Sequence, residues 1–223
     1  MTDRTDTPPS RRERPAKPAL TREGIVTAAV AIMRAEGLTK VTMRRLAREL
    51  DTGPASLYVY VRNTAELHAA VLDELLGTVG PAPAGGTWRE RLERVLTAYT
   101  ATLFEHPSLA RSALTARPSG PHYLKLIEAL LALLDEGGVP PAQAAWGVDL
   151  LLQHATATAA EHSQEASEEE WDALRRALHG ISDRTHPHIA ALGSELLSGA
   201  PEARLSWGLR ALIAGIERTA VSD

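Results

Sequence analysis

The stretch "TMRRLARELDTGPASLYVYVRN", Thr42 to Asn63, gathers four arginines, two tyrosines and a serine in a chain whose aromatic content is 4%. An arginine fork matches guanine O6 and N7, and tyrosine and serine hydroxyls donate to phosphate oxygens. This is chemistry for holding a polyanion, not for making or breaking bonds. The sequence has no G-x-S-x-G elbow, no glycine-rich phosphate loop and no H-E-x-x-H pair, so it is not expected to be an enzyme.

Charge distribution agrees. The whole chain carries −4, but residues 1–64 hold 12 basic and 7 acidic residues and the remainder 12 and 21, so +5 faces −9. One end is built to meet a polyanion and the other is not. The 223 residues contain no cysteine, which excludes disulfides, thiolate metal sites and a cysteine nucleophile. "HPH" (186–188) and "EH" (161–162) are the nearest metal-like clusters, and neither supplies four spaced ligands. No metal or other cofactor is expected. No apolar run reaches the roughly 18 residues of a membrane span, and "MTDRTDTPPSRRERPAKPA" has no apolar signal-peptide core. The expected location is cytoplasmic.

The elements that must position these residues read as helices throughout. Residues 1–18 are Pro-, Thr-, Asp- and Arg-rich and too polar to bury a core, so a disordered basic arm is expected. Thr21 caps a helix that places Ile25, Ala28, Ala29 and Ile32 at helical spacing and stops at Gly37. A second helix starts at Thr42 and buries Leu46 and Leu50. "DTG" turns the chain, and Pro54 opens a short helix to about Val61, since proline suits the first helical position. A fourth runs from about Thr64 to Thr78. "GPAPAGG" (80–86) breaks the chain, and Thr87 with Glu90 forms a capping box. The next helix buries Leu92, Val95, Leu96, Tyr99 and Leu103. Pro107 ends or bends it, and a short helix follows to Leu114. Further helices are expected at 123–136 (stripe Leu124, Ile127, Leu131, Leu134), 140–162, from a cap at Ser167 to Leu178, and from Pro201 (stripe Leu205, Leu209, Leu212, Ile213, Ile216). Residues 179–200 read as loop with a short turn at 187–192. The expectation is an all-α chain in three parts: the arm at 1–18, a helix-turn-helix unit at 19–66 and a helical domain at 67–223.

Residues 42–61 meet the requirements of a helix-turn-helix: a support helix, a tight turn and a helix that can enter the major groove. Leu46, Ala47, Leu50 and Leu57 face inward. Gly53, Pro54, Ala55, Ser56, Tyr58, Val59 and Tyr60 lie at outward or end positions. Small Gly53 and Ala55 allow close approach, Ser56 can bond a base edge or phosphate, and Tyr58 and Tyr60 can donate to phosphates. Thr42 and Thr64 sit at helix N-termini, which favour anions.

The run "IVTAAVAIMRAEGLTKVTMRRLARELDTGPASLYVYVRNTAEL", residues 25–67, resembles the DNA-binding unit of the tetracycline-repressor family of transcriptional regulators. The resemblance implies a three-helix DNA-binding domain, a helical ligand domain and a homodimer on a double-stranded operator. It implies that Arg44 reaches the major groove from the support helix, that Pro54, Ala55 and Ser56 face bases, and that Thr42, Tyr58 and Tyr60 contact phosphates. Two positions depart from the family: Thr64 stands where lysine is common, and Asp51 replaces the usual turn glycine, so the turn need not keep its usual geometry. Pro54 and Ala55 offer only apolar contacts, which leaves direct readout to lean on Arg44. Of the other arginines, Arg45 and Arg48 read as solvated and Arg62 as a backbone contact.

The later helices, with Arg117-Pro118 and Gly138, resemble the tetracycline-repressor type of ligand domain. The metal-binding histidine of that repressor falls near Ala113, which cannot ligate. Glu161 sits near the partner carboxylate, and one carboxylate is no magnesium cage. The resemblance therefore implies a different, largely apolar inducer. Its candidate pocket is Leu103, His106, Leu114, Arg117, Leu124, Ile127, Gln153, His154 and Ala157. A histidine such as His154 is otherwise a satisfied core residue. The helices at 140–162 and 201–219 are the expected dimer elements, as a four-helix bundle around a two-fold axis. The rival is a helical small-molecule binder or enzyme whose helix-turn-helix is structural.

The basic arm is either a solubilising tail or a groove- and backbone-binding arm. For the second, deleting residues 1–18 flattens the fall of DNA affinity with salt, measured by fluorescence anisotropy. An unchanged slope assigns the arm to solubility.

Overall fold

The structure is a computed structural model that describes residues 19–162 and 168–221. The expected arm at 1–18 and the expected cap at Ser167 lie outside the described residues. Among them are eleven α-helices and no strand. They are α1 (Arg22–Glu36), α2 (Met43–Glu49), α3 (Pro54–Leu57), α4 (Thr64–Leu76), α5 (Trp88–Glu105), α6 (Pro107–Ala113), α7 (Pro121–Glu136), α8 (Pro141–His162), α9 (Glu168–His179), α10 (Pro187–Leu196) and α11 (Pro201–Arg218).

Local chemistry sets most helix starts. Thr21 Oγ1 accepts the Gly24 amide at 3.0 Å, Thr42 Oγ1 that of Arg45 at 3.2 Å, and Asn63 Oδ1 that of Glu66 at 2.8 Å. Thr87 and Glu90 form the expected reciprocal capping box. Proline opens α3, α6, α7, α10 and α11, where its missing N–H costs nothing.

The apolar faces meet in one continuous core, from Ile25, Leu46 and Leu57 at one end to Leu134, Leu151 and Leu209 at the other. Helix α4 makes it continuous: it packs on α1 in one direction and on α6 and α7 in the other. Its buried residues Leu67, Ala70, Val71, Leu72, Leu75 and Leu76 run around its circumference, as expected of a helix enclosed by neighbours. The expected 66/67 division thus falls inside an unbroken helix.

Several expectations shift. Helix α3 is one turn, Pro54–Leu57, and Tyr58–Tyr60 follow as turn rather than helix. On α7 the buried stripe is Leu126, Leu130, Leu133 and Leu134, whereas Leu124 is exposed and Ile127 and Leu131 half-buried. Leucines lie on both sides of this helix, so spacing alone cannot choose the inward face. Leu50 and Leu212 are half-buried, not core. Residues 187–196, expected as loop and short turn, form α10. Pro187 starts it, and packing against α9 outweighs the roughly 1 kcal/mol cost of Gly193 in a helix.

Leu57 is fully buried and is the sole buried residue of α3. Leu57→Ala is expected to cost about 2–5 kcal/mol, the range for a leucine truncated in a packed core, read as a lower urea midpoint. A loss below about 0.5 kcal/mol, the scale of a surface change, contradicts its role as the anchor.

Candidate nucleic-acid interface and ligand cavity

Helix α2 ends in a backbone lock. The Asp51 amide donates to Arg48 O at 3.2 Å and the Thr52 amide to Ala47 O at 2.8 Å, a paired closure at the helix C-terminus. Asp51 takes φ +46°, the left-handed conformation that glycine adopts freely and aspartate tolerates. The substitution that put the turn in question therefore leaves a left-handed turn in place.

Beyond it, Gly53, Pro54, Ala55 and Ser56 are all exposed, with Leu57 beneath them. Tyr58 is half exposed and Val59 is 80% exposed, the most exposed large apolar side chain among the described residues. Sequence reading gives Val59 no contact role; the signal was its place between two outward tyrosines. Tyr60 is half-buried against the core. Thr42, Arg44 and Thr64 are exposed. Arg44 makes no hydrogen bond or ion pair with the described residues, so its guanidinium remains open to a ligand.

The neighbouring arginines have different work. Arg45, read as solvated, is half-buried and bonds Glu36 at the end of α1 and Glu49 on α2, both at 2.7 Å. The Glu36 bond, then that to Glu49, holds the guanidinium above its usual pKa, and Arg45 holds Glu36 below the carboxylate range. Arg62, read as a backbone contact, gives its amide and Nε to Glu66 at 2.9 and 3.0 Å, which fastens the start of α4. Thus one arginine is offered outward while two position helices.

His68 on α4 stands between the two ends of the molecule. Its ring nitrogens lie 3.3 Å from Val41 O, just before the cap of α2, and 3.4 Å from Ser112 Oγ on α6. Burial lowers its pKa, despite the opposing Val41 bond, so the ring is neutral at neutral pH.

In the helical domain, a cavity of about 70 Å³ lies among α5, α6, α7, α8 and the loop before α7. Three of the residues expected there line it: Leu114, Arg117 and Gln153. The others do not. Leu103 is fully buried in the core, His106 is the residue between α5 and α6, and Leu124, Ile127 and Ala157 lie outside the lining. His154 faces a separate open cavity with Glu161 and Trp207. Its buried Nε2 has no partner among the described residues and lies against Gly208 of α11, where a Cβ would stand 2.8 Å away.

Sequence reading missed Tyr123, Asp149 and Thr156 as lining, and took Tyr99 for core alone. Tyr99 is both: 2% exposed, with its hydroxyl 2.7 Å from Thr156 Oγ1. Arg117 pairs with Asp149 at 2.5 Å across the lining. With Gln153 added, polar groups interrupt a wall that Ala113, Leu114, Pro118 and Leu152 otherwise make apolar. The one signal was the polar residues embedded in "GVDLLLQHATATAA". Among the described residues no three His, Asp or Glu side chains gather as a metal site, and no helix is long and apolar enough to cross a membrane. Ala113 is buried at the position read from resemblance.

An exposed helix-turn-helix surface at one end and a partly open cavity at the other, joined by one helix, fit a ligand-responsive DNA-binding regulator. Residues 25–71 match the family model of bacterial regulatory proteins of the tetR family, and residues 80–220 that of the tetracyclin repressor-like C-terminal domain. The chain belongs to the TetR family of transcriptional regulators. It is 31% identical to the HTH-type transcriptional repressor DrrR1 of Streptomyces coeruleorubidus, over 93% of this chain and 81% of that protein. Among solved structures, a Streptomyces coelicolor transcription regulator shares 60% identity over 93% of this chain and 99% of its own, with TM-score 0.83. ActR of Streptomyces coelicolor, in complex with actinorhodin, shares 36% identity over 89% and 96%, with TM-score 0.76.

Burial pushes the Tyr99 phenol up to about 12, against the Thr156 bond, which lowers it. A raised phenol pKa leaves its stabilisation intact below the ordinary value near 10 and removes it as pH climbs toward 12. Tyr99→Phe is expected to cost about 1–2 kcal/mol at neutral pH by stranding the Thr156 hydroxyl, and to reduce the loss of stability above pH 10, both read by urea denaturation. An unchanged alkaline slope contradicts this.

Proposed function

We propose that the chain works as a homodimeric repressor, released from a palindromic operator when a small organic inducer enters the helical domain. The observation that carries this reading is α4, continuous from the reading unit to the helices that wall the cavity. Gly53, Pro54, Ala55 and Ser56 enter the major groove, and Arg44 reads a guanine beside them. Thr42, Tyr58, Tyr60 and Thr64 hold phosphates. The inducer binds at the cavity beneath Leu114, Arg117 and Gln153, which widens from about 70 Å³ to admit it, with Tyr99, Tyr123 and Thr156 supplying hydrogen bonds. That the similar protein ActR forms a complex with actinorhodin supports ligand binding as part of the function.

The division between the domains falls within α4. The dimer forms through α8 and α11, whose outer faces expose Trp146 and Trp207. Two reading heads then stand about one DNA turn, roughly 34–36 Å, or a multiple apart. Inducer binding favours a state with the wrong spacing, and the shift is limited by its differential affinity for the two states. Work in the cytoplasm follows from DNA as the partner.

Selection from a random duplex pool tests this. Expected are paired inverted half-sites, one dimer per duplex by analytical ultracentrifugation, and a roughly tenfold loss of discrimination at one guanine in Arg44→Ala. A monomer at micromolar concentration, or no enrichment over random DNA, overturns the reading. Unchanged selectivity in Arg44→Ala removes its role as base reader.

A further inference from the structure

Helix α7 begins without a side-chain cap of its own: Gly120 occupies the cap position and Pro121 follows. Its first turn is satisfied from another helix. Asp73 of α4, a charged-type residue only 7% exposed, accepts the Tyr123 amide on Oδ1 at 2.8 Å. Gly120 makes this approach feasible, because a Cβ there would collide with the Asp73 carboxyl group. A polar group buried this deeply is retained at a cost unless it is bonded. Here the bond ties the middle of α4 to the start of α7.

Tyr123 has a second connection. Its side chain lines the ligand cavity, beside Arg117 and Pro118. One residue thus presents its ring to the cavity and its backbone N–H to α4. On the opposite side, Asp73 and Arg117 also line a cleft of about 250 Å³ that extends to Arg22, Arg62 and Asn63 of the reading unit. The loop before α7 is therefore a shared wall between the cavity and that cleft.

We propose that Asp73 is the positioning residue that couples the cavity to the reading head, by tying the Tyr123 amide to α4. This rests on the regulator reading given above and names the connection it requires. Movement of the Tyr123 ring shifts the start of α7, and the Asp73 bond passes that shift to α4. Coupling between binding sites is reciprocal, so DNA bound at the reading head alters α7 through the same bond. This permits a test with DNA alone.

The experiment is hydrogen–deuterium exchange on the full chain, free and bound to a duplex selected from a random pool by the wild-type protein. In the wild type, duplex binding changes exchange in the peptide covering residues 119–126. Asp73→Ala removes the acceptor, and Gly120→Ala forces the carboxyl group away from the other side. Both are expected to bind the duplex within about threefold of wild type, since neither touches the reading surface. In both, the Tyr123 amide exchanges roughly tenfold faster, as for loss of one hydrogen bond, and the duplex-induced change at 119–126 falls below half. Asp73→Asn keeps the shape and the acceptor oxygen and retains the change.

A merely structural bond predicts faster exchange without loss of the transmitted change, so a full response in Asp73→Ala or Gly120→Ala overturns the proposal. So does a wild-type protein whose α7 ignores DNA, or an Asp73→Asn variant that fails to transmit. Should Asp73→Ala not fold, Gly120→Ala and Asp73→Asn still decide the matter. Failure of the wild type to enrich any duplex overturns the regulator reading itself, and is distinct from a regulator that binds DNA without this coupling.

Discussion

Helix α4 has to satisfy two sets of neighbours at once. Its buried side chains surround its axis, with α1 on one side and α6 and α7 on the other. Such a helix cannot tilt without disturbing packing at both ends, because a close-packed interior transmits displacement instead of absorbing it. Everything functional in the molecule hangs from this enclosure. The reading unit is fastened to its start through Arg62, Glu66 and Asn63. The helical domain grips its middle and end through His68 and Asp73.

The polar contacts are arranged around that constraint. Arg45 closes α2 onto α1 through Glu36 and is steadied by Glu49 on its own helix, and Arg62 closes the turn onto α4. Both act as braces, and Arg44 is left outward for a ligand. The division suits a surface that has to enter a groove: phosphate and base contacts need donors that no internal acceptor already holds. In the helical domain, the same economy places Tyr99, Tyr123 and Thr156 at the boundary between core and cavity. Tyr99 and Thr156 are buried and bond each other through their hydroxyls, and Tyr123 is half-buried beside them.

Most of the helical architecture was legible because its signals are local. Caps at Thr21, Thr42 and Thr87, prolines at first positions and the stop at Gly37 depend on residues a few places apart. The inward stripe of α5 was equally clear, since Leu92, Val95, Leu96, Tyr99 and Leu103 share one face and most of the remaining positions are polar. Helix α7 was not, for its leucines cover two faces and the choice between them belongs to its neighbours. Helix α10 was missed for a related reason. It buries none of its own residues, so no strong stripe marks it, and its order comes from lying on α9.

The sequence by itself determined the reading head: the small residues Gly53, Pro54 and Ala55, the anchor Leu57 and the outward Arg44 lie within one short stretch, where turn and helix rules govern orientation. The cavity was decided by the tertiary structure. Leu114 caps α6, Arg117 lies in the loop after it, Tyr123 is on α7 and Gln153 and Thr156 are on α8, and no local rule states which of their faces converge. The bond from Asp73 to the Tyr123 amide is of the same kind, joining residues fifty positions apart. Spacing along a chain fixes neighbours on one helix. Contacts between helices depend on how several apolar faces are buried together, and that is settled only when all of them pack.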